Sequence, residues 1–195
     1  MFRGAAAERK YESRHARTWR MRAACVVLGI AVSAAPPAFA DSPLEVAVKA
    51  AFIYKFMSYV DWPPSPAASG PITLCVIGDD PVSALLEQAS EGQHVDARPI
   101  VVRHLPAVSR DAPCQVAYIA EADSKAMAGD LAALRGEPVL TITDADRTPG
   151  AVGIIGFTLQ ANHVRFDVDD AAAAADGLTI SSKLLGLAYS VKHRP

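Results

Sequence analysis

The stretch Pro71 to Pro81, "PITLCVIGDDP", sets two carboxylates, Asp79 and Asp80, directly behind an apolar run that holds a cysteine, Cys75. Paired acids at the carboxyl end of a buried strand can act as general acid and base or hold a metal, because α/β sheets bind their ligands at that end. The competing role is local. Pro81 suits the first position of a helix, which makes Asp80 its N-cap and sets both carboxylates at the positive end of the helix dipole. Adjacent residues seldom point the same way and no third ligand stands nearby, so capping is the better account. His163, Arg165 and Asp167 share one side of the alternating segment "HVRFDV", where an arginine can grip a carboxylate or phosphate through two donors. A solvated outer face has the same composition. Ser181, Ser182 and Lys183 contain a nucleophile and a base, but serines at a helix start are ordinarily caps.

Other chemistry finds little support. His94, His104, His163 and His193 lack paired ligand spacing, and Cys75 and Cys114 are not in a CxxC. There is no G-x-S-x-G elbow, P-loop or glycine-rich dinucleotide fingerprint. No cofactor, metal or enzymatic activity is therefore indicated. An enzyme working through Asp79 and Asp80 would lose its turnover when either is changed.

The compartment bears on the cysteines. Residues 23–34, "AACVVLGIAVSA", form an apolar run behind Arg20 and Arg22, and Ala38 and Ala40 occupy the small-residue positions of a cleavage site. The run is shorter than the roughly 20 residues a membrane span needs. Residues 1–40 are thus expected to be a signal peptide cleaved after Ala40, with Met21 an alternative start, and 41–195 a single exported domain. Of the 19 Lys/Arg and 21 Asp/Glu, seven and two lie in the leader, so the exported chain keeps 12 and 19 and a net charge of −7. Nucleic acids and anionic membranes attract clustered positive charge, and this balance argues against both as partners. Cys25 leaves with the leader, and the remaining Cys75 and Cys114 are a disulfide candidate in an oxidising compartment. Two separate buried thiols are the alternative.

The elements that must position these residues follow from hydrophobic period. Residues 44–60 read as a helix with Val46, Ala50, Ile53 and Met57 on one stripe and Lys49 and Lys55 toward the polar side, stopped by "DWPPSP". The aromatic residues Phe52, Tyr54, Phe56, Tyr59 and Trp62 span more than one helical face, so some of them, Tyr54 and Trp62 included, are candidates for ligand or partner contact. Strands are expected at 72–77, 100–105, 115–120 and 139–143, with helices at 82–89 and 124–134, the latter packing through Ala126, Ala128, Leu131 and Leu134. A hairpin turning at Ala161 and Asn162 follows. Asp169 or Asp170 then caps an alanine-rich helix, and a closing helix from Ser181 or Ser182 packs through Leu184, Leu185, Leu187, Ala188 and Val191. The alternation implies a three-layer α/β sandwich around a mixed, mostly parallel sheet, ending in an antiparallel hairpin and C-terminal helices.

Taken together, "VKAAFIYKFMSYVDWP", "ITLCVIGDDP", "IIGFTLQANHVRFDV" and "AAAAADGLTISSKLLGLA" resemble, in order, the YfiR family of exported proteins. The resemblance implies a periplasmic repressor, often a homodimer, that binds the periplasmic sensory portion of a membrane-anchored diguanylate cyclase and so lowers cyclic di-GMP and biofilm formation. It also implies that Cys75 and Cys114 match positions forming an intradomain disulfide, which links redox conditions to folding. A second cysteine pair found in some members is missing from "TDADRTPGAVGIIGF", and Asp169 and Asp170 stand where an asparagine is usual. The alternative is a periplasmic sensor of a small-molecule effector, with a pocket near His163 and Arg165, acting on another membrane receptor or kinase.

Overall fold

A computed structural model describes residues 42–64, 70–120, 123–145, 148 and 150–194. The leader, Met21, Cys25 and the cleavage point lie outside the described residues, as does 65–69 of the proline-rich loop. The chain begins with helix α1 (Pro43–Phe56), whose N-cap Ser42 accepts a hydrogen bond from the Glu45 amide. A 3-10 turn, Met57–Tyr59, leads into strand β1 (Val60–Asp61). The helix stops short of Val60 because Val60 and Asp61 pair antiparallel with Ile180 and Thr179, partners distant in sequence.

Among the described residues the main sheet has eight strands. After β1 come β2 (Ile72–Ile77), α2 (Pro81–Ser90), β3 (His94–Val95), β4 (Arg98–Leu105), β5 (Val116–Ile119), α3 (Ser124–Leu134) and β6 (Leu140–Asp144). Then follow β7 (Ile155–Gln160), β8 (His163–Asp169), α4 (Asp170–Ala175), β9 (Thr179–Ile180), α5 (Ser182–Leu185) and β10 (Ser190–Lys192). The spatial order is β10-β8-β7-β6-β5-β2-β4-β3, parallel except where β7 meets β8 and β3 meets β4. Every residue of β2 is buried, as befits a central strand covered on both faces. Its side chains divide by period two. Ile72, Leu74 and Val76 join α1, α2 and α4, while Cys75 and Ile77 join Met127 and Leu134 of α3. These apolar layers on either side of one mixed sheet make the three-layer sandwich. Phe52, Phe56, Phe157 and Phe166 form the aromatic centre of the larger layer, with the Phe56 and Phe166 rings 4.9 Å apart in an edge-on arrangement.

Three expectations are corrected. Lys49 is 2% exposed, not on a polar face, because its Nζ bonds Asp144 at the end of β6. In α3 the buried residues are Met127, Asp130 and Leu134, while Ala126 and Ala128 are exposed. A segment of small apolar residues carries no clear stripe, and Asp130 turns inward to accept the Val108 amide at 3.1 Å. The closing helix ends at Leu185. Leu187 is 67% exposed, and from Ser190 the chain adds β10 to the edge of β8. That edge offers backbone donors and acceptors in need of partners, which outweigh the helical period of the leucines.

The β7–β8 turn places Ala161 at φ 49° and Asn162 at φ 61°, the left-handed pair that lets a two-residue hairpin follow strand twist. Before β7, the Gly153 amide donates to Thr143 Oγ1 at 3.0 Å and the Ile154 amide to Thr141 Oγ1 at 2.9 Å. A Cβ on Gly153 would lie 2.8 Å from the Thr141 backbone oxygen and 2.9 Å from its carbonyl carbon. Relieving that clash requires shifting β6. Gly153→Ala is therefore expected to lower stability by about 1–3 kcal/mol in urea unfolding, the range for overpacking a rigid core.

Candidate functional site

At the carboxyl ends of the parallel strands the polar groups are occupied with one another. The Asp80 side chain caps α2, accepting the Val82 amide at 2.6 Å and the Ser83 amide at 3.2 Å on Oδ1, while its Oδ2 accepts the buried Tyr118 hydroxyl at 2.7 Å. Asp79 is exposed, and the capping role accounts for its neighbour. At the end of β6, Lys49 Nζ lies 2.6 Å from both Asp144 Oδ2 and Glu45 Oε1. These contacts tie α1 and α2 to the sheet at the end where an α/β protein commonly leaves a ligand crevice. Ser181 caps α5 by accepting the Lys183 amide at 3.3 Å, a structural use of the hydroxyl.

Cys75, in the middle of β2, is disulfide-bonded to Cys114, which lies just before β5; their Cα atoms are 5.7 Å apart. The bond ties β2 to the entry of its parallel neighbour on the α3 side of the sheet, and the two residues are 0% and 5% exposed.

The contact candidates fall into separate places. His163 and Arg165 are exposed on β8, and Asp167 is half-buried, its Oδ1 accepting the Ser190 hydroxyl of β10 at 2.7 Å. The His163 ring nitrogen Nδ1 lies 2.8 Å from the Ala161 carbonyl oxygen, within the hairpin turn. Tyr54 is half-buried and donates its hydroxyl to Gln93 Oε1 at 2.9 Å. Trp62 donates Nε1 to the Gln115 carbonyl at 3.2 Å, before β5. Because β7 and β6 separate β8 from β5, the charged hairpin and Trp62 do not form one site.

Trp62 instead lines a cavity of about 410 Å³ at the amino ends of β2, β5 and β6, away from His163 and Arg165. Its apolar wall includes Ile72, Cys114 and Val139, and Asp61, Asp96, Arg98, Arg110 and Glu137 supply polar groups. Arg98 donates Nε to the Gly70 carbonyl at 2.7 Å and a terminal nitrogen to the Pro71 carbonyl at 3.2 Å. Arg110 pairs with Glu137 at 2.8 Å. Sequence reasoning missed this cavity because its residues come from five separate segments. Only Trp62, an aromatic residue followed by two prolines, was a visible signal.

Beside Glu137, the Gly136 amide donates to Asp176 Oδ1 at 2.7 Å. Burial pushes the Asp176 carboxyl above its ordinary value of 3.8, with the Gly136 hydrogen bond opposing it. A raised folded-state pKa contributes stability below the unfolded value and loses it as pH rises through the folded value. Asp176→Asn, which keeps the acceptor oxygen, is thus expected to melt higher than the parent protein at neutral pH and to lose that advantage below about pH 3.8. Melting curves across this range check the sign.

Among the described residues no helix is long and apolar enough to cross a membrane, and no group of three or more His, Cys, Asp or Glu is placed to hold a metal ion. A family model described as YfiR/HmsC-like matches residues 46–189, from the first turns of α1 to the residue before β10. No curated protein matches the chain.

Proposed function

From the premise that the chain belongs to the YfiR/HmsC-like family, we propose that it is a periplasmic regulatory protein, not an enzyme, that represses a membrane-anchored diguanylate cyclase by binding its periplasmic sensory region. Repression lowers cyclic di-GMP in the cytoplasm and with it biofilm formation. The family match carries this reading, since it spans both layers of the sandwich and both bonded cysteines. In this reading residues 1–40 are the signal peptide, cleaved after Ala40, and 41–195 act as one domain, as a homodimer.

A repressor shifts its partner only by the difference in its affinity for the active and silent states. Moving a cyclase from almost wholly active to almost wholly silent takes about a 10⁴-fold difference. The charged outer face of β8, with His163, Arg165 and Asp167, is the proposed partner contact, because an exposed arginine there offers two parallel donors to a carboxylate.

The test is a pull-down from detergent-solubilised native membranes, with mass spectrometry of the retained proteins and an assay of cyclic di-GMP synthesis. A retained diguanylate cyclase whose activity falls on adding the protein is the expected result. Retention of a membrane receptor or kinase with no cyclase would favour the sensor alternative, and retention of no membrane signalling protein would overturn the proposal. Arg165→Glu is expected to weaken retention about tenfold or more, with its melting temperature unchanged.

A further inference from the structure

The cavity at the amino ends of β2, β5 and β6 has an apolar floor, a fixed aromatic wall and an acidic rim. Ile72 and Val139 belong to the buried cores, and Cys114 is also part of the lining. The hydrogen bond from Trp62 Nε1 to the Gln115 carbonyl fixes the edge of the indole. Arg110 is paired with Glu137, while Arg98 bonds the neutral carbonyls of Gly70 and Pro71 and keeps its charge, so three carboxylates against two guanidinium groups leave the lining with one negative charge in excess. Asp61 and Asp96 are exposed at the rim, and among the described residues neither has an ion-pair partner. The volume of about 410 Å³ lies within the range of small-molecule sites.

An aromatic wall beside two carboxylates favours a cation, which the ring attracts through its quadrupole and the carboxylates through charge. An apolar floor favours a ligand with a hydrophobic body. We infer that this cavity binds a small organic amine carrying an aromatic or apolar body. The ammonium group lies toward Asp61 and Asp96, and the body rests on Ile72 and Val139. This site is independent of the partner contact proposed on β8.

With the leader removed, Trp62 is the only tryptophan of the chain, so its fluorescence reports on this cavity. The probes are phenethylamine, phenylacetate, which reverses the charge on the same ring, and methylamine, which has the charge without a ring. Phenethylamine is expected to change the Trp62 emission saturably and to bind about tenfold or more tighter than either control. The double variant Asp61→Asn, Asp96→Asn preserves side-chain shape and is expected to lose about tenfold in phenethylamine affinity at an unchanged melting temperature. Phenylacetate binding as tightly as phenethylamine would overturn the assignment. So would no saturable response at millimolar phenethylamine, or unaltered affinity in a folded double variant.

Discussion

Replacing Cys75 and Cys114 together by alanine is expected to lower the free energy of unfolding by about 4 kcal/mol, because the chain-entropy model assigns roughly that much to a loop of this size. The sequence separation across the bond is 39 residues, and the loop it closes contains α2, β3 and β4. The bond therefore restrains an unfolded ensemble in which β2 and β5 would otherwise be free to separate. Both residues are replaced so that no buried unpaired thiol confuses the comparison. Urea unfolding of the oxidised parent and the double variant measures the difference, and a loss under about 1 kcal/mol would show that the bond adds little beyond packing. Burial also predicts the kinetics. Thiolate attack needs access to a sulfur, and residues 0% and 5% exposed offer little. Dithiothreitol should reduce the bond much more slowly in the folded protein than in urea. Redox conditions would then govern how much of the protein folds, with far less effect on molecules already folded.

The second large effect belongs to Lys49. Lys49→Met is expected to cost about 3 kcal/mol, because it takes from the Asp144 carboxylate, 1% exposed, the ammonium 2.6 Å away. Glu45, at 14% exposure, loses the same partner but can turn to water. The double variant Lys49→Met, Asp144→Asn removes both charges of the pair and should regain part of the loss, since a buried amide is held out of water at less cost than a buried carboxylate that has lost an ammonium. A double-mutant cycle by urea unfolding gives the coupling directly. Equal stability of the single and double variants would show that the Asp144 charge carries no penalty once Lys49 is gone. The pair also fixes α1 to the carboxyl end of β6. A loosened α1 in the single variant should appear as faster amide exchange through residues 43–56.

Several local features were legible in the sequence because their causes are local. The apolar run of β2, the Asp80 cap before Pro81, the bounds of α3 and the turn at Ala161 and Asn162 each depend on neighbours within a few positions. The alternation in β8 likewise told which side chains face the core. Tertiary structure decided the rest. Helical period placed Lys49 with the polar residues, but it could not reveal a carboxylate 95 positions away in sequence that draws the ammonium inward. The leucines after Ser182 suit a helix, yet the chain from Ser190 completes the edge of β8, because backbone hydrogen-bonding demand is set by the sheet already assembled. The cavity beside Trp62 exists only where the starts of three parallel strands converge. Its apolar floor and acidic rim are distributed over segments whose spacing in the chain carries no trace of their distance in space.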